Sequence, residues 1–280
     1  MPELPEVETV RRGLQRVIIG KKISAIHIHE TRFRFPLQPK VLCKWLMQQT
    51  IAAVERRAKY VLCRMSNDAH LVIHLGMSGR LLWCDGRREL EKHDHIQFVL
   101  EDGDELRFRD PRRFGLVDAV APGKLEEYKH FRHLGIEPFS AEFAPEVLFE
   151  RTRGLVRPIK NYLMDANKIV GVGNIYANEA LFRAGIHPEK AAGKLPLHDW
   201  QRLAKAIRKV LETAIASGGT TLNDFYNSEG EMGYFQQYLK VYNRAGEACD
   251  RCGATIRRIV QLGRSSYFCP QCQPKAGKKK

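Results

Sequence analysis

Cys249-Asp250-Arg251-Cys252 and Cys269-Pro270-Gln271-Cys272 are two short loops that each offer two thiols, with room between them for one small hairpin. That spacing is the pattern of a tetrahedral thiolate site: each loop supplies two sulfurs to one zinc ion, and the stretch around Ile256, Ile259 and Val260 forms the hairpin. Two disulfides and an iron–sulfur centre are the competing readings. Nothing resembling a secretory signal precedes the chain, so a reducing compartment is expected, which disfavours disulfides. Cys43, Cys63 and Cys84 stand apart in apolar or mixed surroundings and read as plain buried thiols.

Outward from the cysteines the chain is basic. Arg251, Arg257, Arg258, Arg264, Lys275 and the run Lys278 to Lys280 follow with no acid among them. The whole sequence has a formal charge of +14 and a pI of about 9.6, so the expected partner carries phosphate. The terminal lysines suit solubility as well as they suit phosphate. Arg264 differs, because a hairpin turn at Gly263-Arg264-Ser265 would aim its guanidinium at a nucleic-acid backbone.

The 280 residues, 44% of them apolar, suffice for two domains with cores of their own. No apolar run approaches membrane-spanning length, so no membrane partner is expected and cytosol or nucleoid is the default location. Pro5 to Ile19 reads as a helix, with Pro5 in its first turn, Glu6 and Glu8 at its positive end, and Val7, Val10, Leu14, Val17 and Ile18 on one face. Short strands are expected at 23–29, 54–61, 71–75, 80–83, 96–100, 105–108 and 115–120, with a hairpin turn at Glu101-Asp102-Gly103-Asp104. They predict a β-rich sandwich flanked by helix. Helical periods follow Pro145, at 145–153, 159–165, 175–184, 197–217 and 221–225. Gly171-Val172-Gly173-Asn174 is a tight turn before one of these helices, where backbone N–H groups and Asn174 can hold a phosphate; an ordinary helix–helix turn is the equal alternative on pattern alone.

Five motifs then recur in one order: Pro2-Glu3-Leu4-Pro5-Glu6-Val7-Glu8-Thr9, His74-Leu75-Gly76-Met77-Ser78-Gly79, Asp110-Pro111-Arg112-Arg113-Phe114-Gly115, Gly171 to Tyr176, and Phe268 to Gln273. Together the chain resembles the bacterial formamidopyrimidine-DNA glycosylases over nearly its whole length. The resemblance implies a multidomain α+β fold: an N-terminal catalytic β-sandwich (2–133), a linker (134–145), a helix-two-turn-helix domain (146–238), a zinc-finger hairpin (239–275) holding one structural Zn2+, and a basic tail (276–280). It implies a bifunctional enzyme that removes 8-oxoguanine and formamidopyrimidine bases from double-stranded DNA and then cleaves the abasic site by β,δ-elimination, with no redox cofactor. A monomer suffices for one lesion.

The resemblance also assigns roles. Removal of Met1 would make Pro2 an N-terminal secondary amine, able to attack the deoxyribose C1′ and form an iminium. Glu3 is the matching general acid/base, Glu6 a second active-site acid, and Lys59 an active-site cation. Met77 and Phe114 would enter the stack vacated by the everted lesion, and Arg112 would pair with the orphaned cytosine. His74, Lys160, Asn174 and Arg264 would hold DNA, and Thr220 to Tyr238 would cradle the lesion. Leu4 in the opening motif favours this branch over the endonuclease VIII-like one, which acts on oxidised pyrimidines. A catalytically inactive zinc-dependent DNA binder and a structural or ribosomal zinc protein are the other classes.

Overall fold

A computed structural model describes residues 2–219 and 235–275. Within it, α1 (Leu4–Ile18) begins at a reciprocal cap in which the Glu3 carboxylate accepts the backbone N–H of Glu6 and the Glu6 carboxylate accepts that of Glu3. Its buried apolar face holds the expected Val7, Val10, Leu14 and Ile18 and adds Leu4, whereas Val17 at its edge is half-buried. The strand β1 (Ile23–Ile28) follows, then a helix the sequence reading did not anticipate, α2 (Pro39–Leu46). Pro39 in its first turn and the buried pair Leu42 and Leu46 are the signals for it. Cys43, expected to be buried, is exposed on this helix, whereas Cys63 and Cys84 are buried as expected.

The segment expected as one strand over 54–61 is a hairpin of two, β2 (Ile51–Arg57) and β3 (Tyr60–Met65). Its turn, Ala58-Lys59, contains no Gly or Asn; Ala58 adopts a positive φ of 54°, and the Arg56 guanidinium holds the Ala58 carbonyl at 2.7 Å. Then come β4 (His70–His74), β5 (Arg80–Cys84), β6 (Asp94–Leu100), β7 (Glu105–Arg109) and β8 (Leu116–Val120). These form two antiparallel four-stranded sheets, ordered β1-β6-β7-β5 and β2-β3-β4-β8. Val61, Leu71 and Ile73 of one sheet and Ile96, Phe98 and Phe108 of the other share a core with Val7, Val10 and Leu14 of α1. The other face of β3 and β4 is also covered, by Leu125, Tyr128 and Phe131, which is why those strands are apolar on both sides.

The described residues divide into two compact units, 2–132 with 215–219 and 235–236, and 133–214 with 237–275. The second holds α3 (Pro145–Thr152), α4 (Ile159–Leu163), α5 (Asn174–Ala184) and nearly all of α6 (Leu197–Ala216). Gly185 ends α5 in the left-handed conformation at φ 69°. Residues 135–143 are built into this unit: Ile136 bridges Ile169 in parallel, and Arg208 donates to the carbonyls of Pro138, Ser140 and Phe143. At Gly135 a Cβ would fall 2.2 Å from the Lys168 carbonyl carbon, so only glycine fits there. A final hairpin, β9 (Arg257–Gln261) and β10 (Arg264–Phe268), turns on Leu262 and Gly263 at φ 47° and 71°, the positive values a tight two-residue turn requires. The helix expected at 221–225 and the lysines of the basic tail lie outside the described residues.

Candidate active site and nucleic-acid interface

Pro2 is buried just ahead of α1, and Glu3 and Glu6 behind it are 3% and 2% exposed. Glu3 N–H meets Glu6 Oε2 at 2.8 Å, so the cap fixes both carboxylates at the positive end of the helix. Gly219 lies against the same group: a Cβ there would meet Glu6 Cγ and Oε1 at 3.1 Å, and its φ of 84° also demands glycine. The Gly219 carbonyl accepts the N–H of the buried Phe235 at 3.0 Å, which joins the two ends of the segment expected to cradle the lesion. Residues 220–234 of that segment lie outside the described residues.

Lys59 sits at the tip of the β2–β3 turn, half-buried. Its neighbour Tyr60 pairs across the sheet with His74, their rings 4.8 Å apart. His74 Nδ1 accepts the Gly76 N–H at 3.0 Å, so the neutral ring carries its proton on Nε2. Burial, with the charges of Lys59 and His130 nearby, lowers the His74 pKa to about 4. At neutral pH this histidine is therefore an uncharged donor beside a cationic lysine.

Two loops present the residues expected to enter the duplex. Met77 and Phe114 are 37% and 39% exposed, and the Arg112 guanidinium lies 4.9 Å from the Phe114 ring centre. Beneath them is a knot the sequence reading missed, centred on Asp110, which is fully buried. Its Oδ1 accepts Ser78 Oγ–H at 2.7 Å and the Arg112 N–H at 3.3 Å, and its Oδ2 accepts the Gly115 N–H at 2.8 Å. Its main-chain carbonyl receives the Arg113 N–H at 3.1 Å and faces His95 Nε2 at 3.0 Å. The loops also touch backbone to backbone: a Cβ on Gly76 would fall 2.5 Å from the Phe114 carbonyl carbon. Asp before Pro and Ser between glycines were the available signals, but their pairing spans 32 positions.

In the second unit the four sulfurs of Cys249, Cys252, Cys269 and Cys272 lie within 4.8 Å of one another. Three of the separations are 3.4, 3.6 and 3.9 Å. Disulfides need about 2.05 Å, whereas a tetrahedron with metal–sulfur bonds of about 2.3 Å has edges of roughly 3.8 Å. The donor set fits a zinc ion, and four thiolates leave no coordination position for water. Backbone N–H groups of Arg251 and Cys272 point at Cys249 and Cys269 sulfurs, each at 3.4 Å, and stabilise thiolate charge. Arg251 itself, counted in the basic field, stacks on Phe182 at 4.3 Å and donates to its carbonyl.

Asn174 opens α5 after the turn through Gly171, whose φ is 79°. Arg264 is exposed at the hairpin turn. Asn178 ties these two places together, donating to the Asn174 carbonyl at 2.6 Å while its Oδ1 accepts the Tyr267 N–H at 2.7 Å. Glu179 accepts the N–H groups of Lys240, Val241 and Tyr242 at 2.8 to 3.0 Å; burial still pushes its pKa up. Lys160, expected to touch DNA, is instead 1% exposed: its ammonium donates to the Ser265 carbonyl at 2.8 Å and to Ser266 Oγ at 2.7 Å, an internal strut between α4 and β10. An ammonium buried this deeply needs such acceptors, and the hairpin supplies them.

Comparison with known proteins agrees with this arrangement. Residues 1–117 match the formamidopyrimidine-DNA glycosylase N-terminal domain, 134–226 the H2TH domain of the same proteins, and 246–275 the zinc finger found in FPG and IleRS. The third match identifies the metal of the four-cysteine site as a structural zinc. Formamidopyrimidine-DNA glycosylase of Magnetococcus marinus is 48% identical over 98% of this chain and 99% of its own length, and that of Syntrophotalea carbinolica is 48% identical over 98% and 100%. Among solved structures, Lactococcus lactis Fpg bound to DNA with an abasic site superposes with a TM-score of 0.89 at 36% identity, covering 98% of this chain and 100% of that one. The same protein with DNA containing an oxidised pyrimidine gives 0.88 at the same identity and coverage. With matches across both units and full-length relatives at this identity, the chain belongs to the formamidopyrimidine-DNA glycosylase family.

Proposed function

We propose that this chain, once Met1 is removed, is a bifunctional DNA glycosylase and AP lyase that excises 8-oxoguanine and formamidopyrimidine bases from duplex DNA, preferably opposite cytosine. The observation that carries the reading is the start of α1, where Pro2 adjoins two buried carboxylates locked in one cap, with Gly219 packed on Glu6. Freed of Met1, Pro2 is a secondary amine at the positive helix end, which disfavours its protonated form and leaves a lone pair available near neutral pH. That lone pair attacks C1′ of the damaged nucleoside. The bond from C1′ to the base breaks, the electron pair departs with the base, and Glu3 supplies the proton the base takes up. The proline nitrogen then sheds its proton and its lone pair breaks the C1′–O4′ bond, O4′ taking up a proton, which leaves an iminium at C1′ of the opened sugar. Loss of a C2′ proton expels the 3′ phosphate, a second proton loss expels the 5′ phosphate, and water then returns Pro2.

Lys59 and neutral His74 hold phosphates beside the lesion, Met77 and Phe114 fill the vacated stack, and Arg112 donates to the orphaned cytosine. Asn174 and Arg264 grip the backbone from the second unit. The protein acts as a monomer in the bacterial cytoplasm at the nucleoid. That the Lactococcus lactis relative has been captured with an oxidised pyrimidine supports a second, lesser class of substrate here.

The test is borohydride trapping on duplex DNA carrying 8-oxoguanine opposite cytosine, with thymine glycol for comparison and peptide mapping of the adduct. An adduct on Pro2 that forms faster with 8-oxoguanine is expected. Faster trapping on thymine glycol would move the chain to the oxidised-pyrimidine branch. Binding without any adduct by fully processed protein would make it an inactive DNA binder.

A further inference from the structure

Helix α6 carries a basic face that none of the DNA-directed residues uses. Arg202, Lys205, Arg208 and Lys209 recur on it at helical spacing, away from the buried Leu203, Ile207, Val210 and Leu211. With Arg183 at the end of α5 they border a groove of about 650 Å3, to which Pro145, Ala184 and Ala204 contribute apolar carbon. Two of these five cations are engaged, Arg208 by the three carbonyls already described and Arg202 by Asp199 at 2.5 Å. The side chains of Arg183, Lys205 and Lys209 have no hydrogen-bond or ion-pair partner among the described residues, and the one acid lining the groove is Glu212. Three unneutralised charges around an apolar floor call for an anionic ligand that also brings carbon.

Position distinguishes this groove from the phosphate turn. Arg183 lies nine residues along α5 from Asn174, roughly 14 Å at the helical rise of about 1.5 Å per residue. A ligand here does not displace a phosphate held at the other end of the helix. A DNA backbone would satisfy the cations but has no side chain to place on the alanine and proline floor. An extended acidic peptide with an apolar anchor satisfies both.

We propose that the groove between the end of α5 and the exposed face of α6 docks an acidic, extended peptide segment bearing an apolar anchor, supplied by a partner protein while the enzyme is on DNA. Its simultaneity with DNA rests on the phosphate reading of Asn174; the docking itself does not.

The probe is a fluorescent synthetic peptide of four aspartates followed by leucine and phenylalanine, titrated by anisotropy against the zinc-loaded full chain, free and bound to an abasic-site duplex. Saturable binding in both states is expected. Polyaspartate of equal charge should bind at least about tenfold more weakly, and Lys205→Glu with Lys209→Glu should cost the peptide a similar factor, with zinc content and lesion excision retained. If the reversal impairs folding, Lys205→Gln with Lys209→Gln decides in its place. Equal binding of polyaspartate, or indifference to both double variants, overturns the proposal. So does a reversal that spares the peptide while weakening DNA binding and its salt slope, because the groove is then a phosphate track. Failure of excision in the unmodified protein would count against the catalytic reading alone, since the anisotropy does not depend on it.

Discussion

The chemistry of single residues here is set by what surrounds them, and His74 shows it most clearly. Its pKa of about 4 lies below the ordinary value near 6.5. Between those limits the unfolded chain binds a proton that the folded chain does not, so His74 withdraws stability as the pH falls through that window and none above it. His74→Gln should therefore reduce the stability lost between pH 7 and pH 5 by about 1–2 kcal/mol, read from urea unfolding at the two pH values; an unchanged difference would mean the ring is not held neutral. The same neutrality has a consequence for DNA. A neutral donor releases no counterion, so His74→Gln should weaken binding without altering its salt dependence, whereas Arg264→Ala should lower the slope of log K against log salt by roughly one. At the catalytic end, Glu3→Gln keeps the shape of the cap but removes the proton donor, and should slow single-turnover excision by roughly 10²–10⁴-fold with binding to an abasic-site duplex nearly intact. Loss of binding in parallel with excision would make Glu3 a structural cap and nothing more.

Among the elements, the loops at Met77 and Arg112 gain their precision from Asp110, not from the residues they display. Asp110→Ala strands the Gly115 N–H and takes away the acceptor of the buried Ser78 hydroxyl, and should cost roughly 2–4 kcal/mol. It should also blunt discrimination of the base opposite the lesion, because the Arg112 N–H loses one of its two acceptors and the other, Ser78 Oγ, loses its own tie to Asp110. A thermal melt and an opposite-base panel check the two effects, and a destabilised variant with unaltered base preference would separate the knot from recognition. This knot also marks how far the sequence could be read. The exposed Met77, Arg112 and Phe114 were legible because a resemblance names them, and α1, α5 and α6 because their apolar spacing is helical. Ser78 with Asp110 was not, since a contact across 32 positions leaves no local period. The β2–β3 turn was hidden for another reason: Ala58 takes a positive φ that composition assigns to Gly or Asn, and the restraint comes from the Arg56 side chain. The burial of Lys160 was not legible either, because it is a property of its neighbours on β10, which a motif match does not reveal.

For the molecule as a whole, the zinc tail is part of the helical unit. The hairpin receives Lys160 from α4, Asn178 from α5 and, through the turn that precedes it at Lys240 to Tyr242, the carboxylate of Glu179. Phe182 of α5 packs in the same small core as Cys249, Tyr267 and Cys269. Structural zinc contributes about 10–16 kcal/mol of binding free energy that is spent as folding energy. Its removal should therefore melt the hairpin and leave the Lys160 ammonium and the Glu179 carboxylate buried without these partners, a cost that falls on α4 and α5. The β-sandwich has its own core, built from α1 and both sheets, and owes none of those bonds. Chelation, or Cys269→Ser, should thus raise amide exchange through β9, β10 and the first turns of α5 while β3 and β4 stay protected, and DNA affinity should fall with the Asn174 turn as well as with Arg264. Hydrogen exchange with and without chelator gives the answer directly. Loss confined to the hairpin would show that the struts carry no coupling, and loss spread evenly through the sandwich would show that the two units do not unfold separately.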